Sequence, residues 1–274
     1  MRKKKQKALL TVIALAVVLC AKFVPGVSSQ RPESAQQAEL PVSAPTQQEA
    51  KELVKAVEGA PLLRRTGYVC CYNAETRLPH WVAWVLTANH TSGPHKRNGI
   101  KFQEDTDVEA PRATHEDYVR SGYDRGHLCP SGDNKWSEQA QRESFLMTNI
   151  CPQTHNLNAG DWNEMEQQCR TWANEYGTLY IVSGPILYRQ KHKTIGKNKV
   201  VVPEAFFKVV LRLHPRPQAI GFIYKNADGN RPKGDYMNTV NEVERITGFD
   251  FFPFLDDRIE EQVEASSDLQ QWGL

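Results

Sequence analysis

The spacing of apolar and polar residues predicts β-strands on both sides of a long irregular middle segment. The runs YVCCYN (68–73) and HWVAWVLTA (80–88) are rich in β-branched and aromatic residues, and a turn-like stretch separates them, which predicts an antiparallel hairpin. TLYIVS, FFKVVLRL and AIGFIY predict three more strands in the second half of the chain. In FFKVVLRL every second residue from Phe207 to Leu213 is apolar, whereas Lys208 and Arg212 occupy the other face, as in a half-buried strand.

Helical periodicity and helix-end signals predict helices around these strands. Asp161 with Glu164 three residues later resembles a capping box, and Gly248 is typical of the residue that closes a helix. The predicted helices cover 50–57, 138–147, 161–176 and 236–247. Because helices and strands do not alternate regularly, we expect one α+β domain over residues 60–255 rather than a parallel sheet.

The two ends of the chain differ in composition from this domain. A basic head precedes an uninterrupted apolar run at 8–21, and small residues follow, so residues 1–29 are predicted to be an export signal. An uncleaved membrane anchor over residues 8–24 is the alternative, although the run is shorter than the roughly 20 residues of a bilayer span. We expect residues 30–59 to form a disordered tether with one short helix, and residues 256–274 to form a tail that is loosely ordered apart from its apolar last residues.

Net charge limits how the domain can bind a polyanion. The chain of 274 residues has 34 Lys and Arg against 32 Asp and Glu, but residues 1–29 hold six of the basic residues and no acidic one. The rest therefore has 28 basic against 32 acidic residues and is slightly acidic at neutral pH. Nucleic-acid binding would thus need a local basic cluster or a bound metal ion.

Five cysteines lie beyond the predicted signal. This number suits two disulfides and one thiol in an oxidising compartment, although the sequence does not assign the pairs. Zinc is a rival interpretation, with Cys129, Cys151, His155 and Cys169 as ligands, but no C-x-x-C knuckle supports it.

The stretch YDRGHLCPSGDNKW (123–136) places charged residues of both signs beside Gly126 and His127. An imidazole with an unperturbed pKa near 6.5 can take a proton from water at neutral pH, and glycine permits a close approach of the backbone. A salt-bridged surface turn is the alternative for a motif of only four letters, DRGH.

A second polar group follows in TNICPQTHNLNAGDWNEMEQ (148–167), which contains Asn149, Asn158 and Glu166. If one helix carries positions 158, 162 and 166, they fall within an arc of about 80° while rising roughly 12 Å. An amide oxygen and a water-bridged carboxylate could then hold magnesium, which prefers oxygen ligands and keeps several waters. Seen alone, Asn158 would be a helix cap and Glu166 a solvated helix residue.

Together these motifs resemble the DNA/RNA non-specific endonucleases of the Serratia type. The resemblance rests on DRGH (124–127), TN-I-x-PQ (148–153) and LN-x-x-x-W-x-x-x-E (157–166). It extends to PHWVAWVLT, HKRNG, VSGPI, VVPEAFFKVVL, AIGFIYKN and VERITGFDFF, and so spans most of residues 68–254. It implies the ββα-metal (His-Me finger) fold, with a central antiparallel sheet flanked by helices and a hairpin and helix around one divalent ion.

The resemblance also implies roles for the motif residues. His127 matches the general base that activates the attacking water. Arg125 and, across a loop of variable length, Arg97 match arginines that neutralise phosphate charge. Asn158 matches the sole direct protein ligand of the metal, and Glu166 matches the carboxylate that holds metal-bound water.

The remaining residues near the motifs have supporting roles in this interpretation. Asn149 matches a supporting residue of the catalytic network, and Asp124 is expected to orient its turn. Cys129 and Cys151 stand beside the two motif segments, where the family pattern does not demand cysteine. We expect a disulfide between them that clamps the site; two unpaired buried thiols are the alternative.

The expected function is that of an exported, periplasmic or extracellular endonuclease that hydrolyses DNA, RNA or both with little sequence selectivity. The resemblance also implies that it leaves 5′-phosphate ends. Its cofactor would be Mg²⁺ or another divalent cation such as Mn²⁺, with no organic cofactor. The chain would meet a membrane only if the signal stays uncleaved. The alternative is a nucleic-acid-binding protein that has lost catalysis. A different hydrolase is disfavoured, because the motifs G-x-S-x-G, H-E-x-x-H and P-C-x-x-C are absent.

Overall fold

A seven-stranded antiparallel sheet runs through the centre of the fold. The computed structural model describes residues 46–227 and 229–274, which fall within one compact unit. Its strands are β1 (Leu62–Arg64), β2 (Val69–Asn73), β3 (Leu78–Thr87), β4 (Asp124–His127), β5 (Ile150–Gln153), β6 (Thr178–Ile186), β7 (Thr194–Ile195), β8 (Val200–Val201), β9 (Ala205–Arg212), β10 (Gln218–Lys225) and β11 (Met237–Asn238). The central sheet has the order β1-β2-β3-β6-β9-β10-β11, while β4–β5 and β7–β8 are separate hairpins.

The strands of the central sheet follow the predicted pattern with one correction. β2 and β3 form the predicted hairpin, and β6, β9 and β10 match the three strands predicted in the second half. However, β9 is not half-buried, because all of its residues are buried, including Lys208 and Arg212. The Lys208 ammonium lies 4.9 Å from the ring centre of Trp84 and 4.4 Å from that of Trp162, so aromatic faces cover a residue that the pattern assigned to solvent.

The helices agree with the sequence best where their ends are well marked. They are α1 (His115–Tyr118), α2 (Glu138–Glu143), α3 (His155–Ala159), α4 (Asp161–Tyr176), α5 (Val240–Thr247) and α6 (Asp257–Glu264). α4 has the predicted bounds, and Gly248 closes α5 with a φ of 73°, as expected of a left-handed helix end. α2 ends earlier than predicted, and α5 begins later because a 3₁₀ turn and the edge strand β11 precede it.

Helices cover both faces of the sheet. On one face of β9, Phe206 and Val210 share a core with Trp162 and Trp172 of α4. On the other face, Phe207 belongs to a second core, which also contains residues of α5, α6 and the first described segment. β9 is therefore buried on both faces, which explains its nearly continuous apolar sequence.

The predicted capping box at Asp161 is not formed. Gly160 is the residue that precedes the first turn of α4. The Asp161 carboxylate instead accepts a hydrogen bond from the backbone N–H of Asn230 at 2.7 Å and another from the hydroxyl of Tyr236. Asp161 thus ties the start of α4 to the loop before β11, a long-range contact that local sequence does not encode.

The C-terminal segment contains α6, so the prediction that the tail from Asp256 is loosely ordered is wrong for this helix. α6 packs Val263 into the second core. A 3₁₀ turn then buries Trp272 against Trp172, whose indole N–H donates to the Trp272 carbonyl at 2.7 Å. Trp272 is one of the apolar last residues, which were excepted from the prediction of a loosely ordered tail.

The described part of the predicted tether is also packed. A 3₁₀ helix covers Gln47–Leu53, where a short α-helix over 50–57 was expected. Leu53 and Val54 are buried, and Val54 forms a β-bridge with Phe251. The predicted signal, the anchor alternative and the tether up to residue 45 lie outside the described residues. No helix of the described part is long and apolar enough to cross a membrane.

Candidate active site

The DRGH motif forms β4, and its hairpin partner β5 carries the second motif. Arg125 pairs with Pro152, Gly126 with Cys151 and His127 with Ile150. A Cβ atom at position 126 would overlap the side-chain amide of Gln153, which is itself fully buried. Glycine is therefore required here by close packing, in agreement with the close backbone approach expected from the motif.

His127 lies at the end of β4 between two phenylalanine rings. Its ring centre is 5.4 Å from that of Phe102 and 5.0 Å from that of Phe145, and the residue is 8% exposed. Burial, together with the positive charge of Arg97, lowers the pKa of His127 to about 3. Nε2 is buried without a hydrogen-bond partner among the described protein groups. The imidazole is thus neutral at physiological pH and able to accept a proton.

The two predicted arginines lie over the same pair of rings. The Arg97 guanidinium carbon is 5.4 Å from the ring centre of Phe145, and that of Arg125 is 5.7 Å from the ring centre of Phe102. Arg125 also donates to the backbone carbonyl of His115 at 3.1 Å, whereas Arg97 is exposed. The structure therefore brings both cations to the surroundings of His127, although the chain separates Arg97 from Arg125 by a long loop.

Asn149 is placed behind the site rather than in it. It is fully buried. Its Oδ1 accepts from the N–H of Cys129 at 2.9 Å, and its Nδ2 donates to the carbonyls of Cys129 and Ser144, both at 2.8 Å. Since these contacts fix the backbone two residues after His127, Asn149 has the geometry of a positioning residue, whereas its motif groups it with the catalytic residues.

Asn158 approaches the hairpin from α3. Its Nδ2 donates to the carboxylate of Asp124 at 3.0 Å, and the same carboxylate oxygen lies 2.8 Å from Nδ1 of His155. Because the amide nitrogen is engaged by Asp124, the amide oxygen of Asn158 is the atom left for another ligand. The Asp124 carboxylate therefore contacts Asn158 and His155 of α3, and its expected role in orienting its own turn stays a prediction.

Glu166 belongs to a different helix from Asn158, which corrects the single-helix geometry considered from the sequence. Gly160 adopts φ −101° and ψ −112° and separates α3 from α4. Trp162 of α4 donates its indole N–H to the carbonyl of His127 at 3.0 Å, and this bond holds the helix against the hairpin. Burial raises the pKa of Glu166 to about 7, although the nearby cations Lys208, Arg170 and Arg97 oppose this effect.

Three charged residues that act electrostatically on Glu166 were not identified as site residues from the sequence: Asp133, Arg170 and Lys208. Asp133 accepts hydrogen bonds from Arg170 at 3.0 Å and from the indole of Trp84 at 3.1 Å. Burial raises the pKa of both Asp133 and Glu166, and the positive charge of Lys208, which lies on the neighbouring aromatic faces, opposes this effect. The sequence signal was Lys208 in β9, which alternation assigned to the solvent face together with Arg212.

The predicted Cys129–Cys151 disulfide is wrong. All five cysteines of the described residues are free and buried. In the hairpin register Cys151 lies opposite Gly126, so Cys129 is three positions further along, roughly 10 Å away at about 3.3 Å per residue, which is too far for a disulfide. The zinc alternative also lacks support, because no group of three or more His, Cys, Asp or Glu in the described part is arranged to hold a metal.

These side chains suit an oxygen-preferring cation better than zinc. The free oxygen of Asn158 and the carboxylate of Glu166 are hard ligands. Thiol ligands are unsuitable, because burial raises the pKa of Cys129 and Cys151 well above its usual range. The site thus combines a neutral imidazole, two guanidinium groups and oxygen donors. Such groups can neutralise charge and transfer a proton at an anionic ester.

The fold is that of a known nuclease. The crystal structure of the EndoG/EndoGI complex, which concerns the mechanism of EndoG inhibition, matches with a TM-score of 0.68 at 27% identity, covering 71% of this chain and 86% of that chain. The predicted fold class, a ββα-metal nuclease fold with a central antiparallel sheet and flanking helices, is confirmed by this likeness.

Curated relatives point to the same group of enzymes. Nuclease EXOG, mitochondrial, of Danio rerio is 37% identical over 69% of this chain and 60% of its own length. Endonuclease G, mitochondrial, of Bos taurus is 33% identical over 71% of this chain and 70% of its length, and the Nuclease of Nostoc sp. is 29% identical over 76% and 78%. The chain spans about three fifths of the length of the EXOG relatives it matches.

The names of these relatives contradict the predicted export to the periplasm or the exterior. EXOG and Endonuclease G are both named as mitochondrial proteins. A basic N-terminal segment without acidic residues is common to export signals and organelle transit peptides, so composition alone does not separate these destinations.

The family model described as DNA/RNA non-specific endonuclease matches residues 48–258. This range contains every motif on which the resemblance was based and most of the described structure. The recognition made from the sequence is therefore confirmed, and the family is one of metal-dependent nucleases. The chain belongs to the DNA/RNA non-specific endonuclease family.

Proposed function

We propose that this chain is a metal-dependent endonuclease that hydrolyses phosphodiester bonds of DNA, RNA or both with little sequence selectivity. The observation that supports this most directly is the surroundings of His127. A neutral, buried imidazole lies between Phe102 and Phe145, and a guanidinium group lies over each of these two rings. A general base beside two cations suits the attack of water on a phosphate.

In the proposed reaction His127 removes a proton from the attacking water. Its pKa of about 3 keeps it unprotonated across the physiological range, so no prior deprotonation is needed. The water oxygen forms a bond to phosphorus, and the bond from phosphorus to the 3′ oxygen breaks. The leaving oxygen takes up a proton from solvent, which gives a 5′-phosphate and a 3′-hydroxyl end.

Arg97 and Arg125 neutralise the phosphoryl oxygens. The exposed position of Arg97 lets it reach a bound strand, while the bond to the His115 carbonyl limits the movement of Arg125. Guanidinium groups form bidentate hydrogen bonds with phosphate, and such contacts do not distinguish one base from another. Cleavage is therefore expected to depend weakly on sequence.

Asn158 and Glu166 are the residues that would hold the divalent cation, which we propose to be Mg²⁺, with Mn²⁺ as a substitute. Asn158 offers an oxygen oriented by Asp124, and Glu166 offers a carboxylate for a water of the ion. When bound, the ion would stabilise charge on the phosphoryl and leaving oxygens. A neutral amide ligand cancels none of the ion's charge, which suits a polyanionic substrate.

The test is cleavage of supercoiled plasmid and of a long RNA by the purified chain, with Mg²⁺, with Mn²⁺ and with EDTA. We expect cleavage with either metal ion and none with EDTA, and sequencing of the products should show 5′-phosphate ends at many sites. Cleavage that persists in EDTA would contradict the metal requirement. Binding without cleavage under all conditions would favour the inactive scaffold instead.

A further inference from the structure

A strongly basic segment borders the candidate site and has no role in the reaction described above. Residues 188–199, here called the basic arm, run from the end of β6 through the β7–β8 turn. The arm contains no Asp or Glu. Its basic residues, all exposed, are Arg189, Lys191, Lys193, Lys197 and Lys199.

The arm is anchored so that nearby carboxylates face inward. The backbone N–H and the side-chain amide of Asn198 both donate to Asp117, each at 2.9 Å. His192 and the backbone N–H of Tyr188 are bonded to Glu204 at 3.0 and 3.1 Å. Both carboxylates are nearly inaccessible. The charges that the arm presents to solvent are therefore all positive.

The basic side chains are not paired with acids. Among the described residues, none of the five takes part in an ion pair within 4.0 Å. On the far side of the sheet, by contrast, Arg245 pairs with Glu242 at 2.6 Å and Lys55 with Asp250 at 3.8 Å. An unpaired cluster in a chain that is otherwise slightly acidic has a different electrostatic character from ordinary solvated surface.

The arm lies next to the residues proposed to bind phosphate. The Lys193 ammonium is 4.8 Å from the ring centre of Tyr123, the residue before β4. Asp117, which holds the arm, precedes Tyr118, and the Tyr118 ring lies 5.6 Å from the guanidinium carbon of Arg125. A polyanion bound at Arg125 would thus continue over the arm. Tyr188, 61% exposed, adds an aromatic face on which an unpaired base can stack.

We propose that the basic arm is an extended binding surface for the phosphate backbone of the nucleic-acid strand beyond the cleaved bond. This inference rests on the proposed function and adds a substrate preference to it: long strands that reach the arm are cleaved more efficiently than short ones. The arm also supplies the local basic cluster that the slightly acidic balance of residues 30–274 calls for.

The test compares two variants that lose the same number of positive charges. The arm variant is R189Q/K191Q/K197Q/K199Q, which leaves Lys193 and the site unchanged. The control variant is K51Q/K55Q/R245Q/R258Q, whose residues lie in the first described segment and in α5 and α6. For each protein, kcat and KM are measured on a long duplex over a range of salt concentrations, and on bis(p-nitrophenyl) phosphate, which is too short to reach the arm.

We expect the arm variant to raise KM for the long duplex at least tenfold, with kcat at saturation and the rate on the small diester unchanged. The slope of log(kcat/KM) against log salt concentration should become shallower by about 0.9 for each phosphate group that the variant no longer binds. The control variant should match the parent protein. Equal KM and salt slope in the arm variant and the parent, or an equal change in both variants, would overturn the proposal.

Equilibrium binding separates this proposal from the proposed catalysis. Fluorescence anisotropy with a labelled duplex in EDTA measures binding whether or not the chain cleaves, and the arm variant should bind at least tenfold more weakly. If the arm variant keeps its duplex affinity but loses binding to anionic vesicles of phosphatidylserine and phosphatidylcholine, the arm is a membrane surface and the proposal fails.

Discussion

The imidazole of His127 is enclosed by Phe102 and Phe145, and this enclosure changes its titration. An ordinary histidine titrates between pH 6 and 7, whereas burial and Arg97 lower the pKa of His127 to about 3. His127 is therefore unprotonated throughout the range in which most enzymes work, while its low pKa makes it a weaker base than an ordinary histidine. A loss of activity on acidification from pH 8 to pH 5 would have to come from groups other than this imidazole.

The substitution His127→Ala tests the role of the base directly. We expect kcat on plasmid DNA to fall about 10²- to 10⁴-fold, the usual contribution of a general base, while duplex affinity in EDTA stays within twofold. His214→Ala, which removes an exposed histidine away from the hairpin, is the matched control and should keep full activity. Retention of more than a tenth of the parent kcat by the His127 variant would exclude it as the base.

Asn149 is expected to matter for stability first. Asn149→Ala leaves the N–H of Cys129 and two backbone carbonyls without their buried partners, at a cost of about 1–3 kcal/mol for each group left unsatisfied. Urea unfolding followed by circular dichroism should show a lower midpoint. Asn174→Ala, which removes one exposed bond to the Arg170 carbonyl, should leave the midpoint almost unchanged. A normal midpoint combined with lost activity would instead assign Asn149 to the reaction.

At the scale of elements, the site depends on how a hairpin and two helices meet. Gly160 breaks the chain between α3 and α4, so Asn158 and Glu166 reach the site from separate helices. Asp124 connects the hairpin to α3, and the bond from Trp162 to the His127 carbonyl connects it to α4. The positions of Asn158 and Glu166 are thus fixed by contacts with β4 rather than by spacing along one helix.

The docking of α6 is expected to weaken as pH rises. Burial, together with the neighbouring carboxylates of Glu244, Glu260 and Asp250, raises the pKa of Glu264 from an ordinary value of 4.5 to about 8. Burial, together with the carboxylates of Asp250, Glu244 and Asp257, also raises the pKa of Glu260 to about 7. Of the basic residues close by, Lys55 faces this group from the first described segment and lies 3.8 Å from Asp250.

The direction of this pH dependence follows from the number of protons that the folded and the unfolded chain bind. Below about pH 4.5 Glu264 is protonated whether the chain is folded or not, so its contribution to stability is at its most favourable. Between about pH 4.5 and 8 the unfolded chain loses this proton while the folded protein keeps it, and the free energy of unfolding therefore falls as pH rises. Glu264→Gln should raise the urea midpoint at pH 8 and flatten its dependence on pH. Glu261→Gln, on the exposed side of α6, should follow the parent profile.

For the whole molecule, the free cysteines predict a fold that does not depend on oxidation. The five described thiols are buried on several elements of both cores. We expect mass mapping under non-reducing conditions to find no disulfide among them, and the thermal midpoint to be the same with and without reductant. Alkylation should be slow in the folded protein and rapid after unfolding. A disulfide-linked Cys129–Cys151 peptide in the map would contradict this expectation and the separation of the two residues in the hairpin register.

The sequence was informative wherever a pattern is local. The bounds of α4, the left-handed Gly248 and the β2–β3 hairpin follow from periodicity, helix-end chemistry and turn residues, which act within a few positions. Errors arose where distant segments decided the outcome. Asp161 bonds to Asn230 instead of capping its own helix, and α6, which was predicted to be loosely ordered, packs Val263 into the second core.

Lys208 is a second case in which contacts between distant segments, rather than the local pattern, decide where a residue lies. Alternation placed it on a solvent face because a lysine is rarely buried. The packing of Trp84 and Trp162 gives its ammonium group two aromatic faces, and the negative charges of Asp133 and Glu166 act on it nearby. None of these four partners is adjacent to Lys208 in sequence, so their joint effect could not be predicted from β9 alone.

By itself the sequence determined the family, because the residues expected to accept protons, neutralise phosphate and bind oxygen-preferring cations occur in recognisable motifs at 124–127, 148–153 and 157–166. Only the tertiary structure decided how those residues are placed. It buried His127 and so removed its charge, placed Asn149 behind the site, separated Cys129 from Cys151, and set the basic arm beside Arg125. The physical reason is that residue identity fixes which charges and hydrogen bonds are available, whereas burial and register, which set pKa values and distances, depend on segments far apart in the chain.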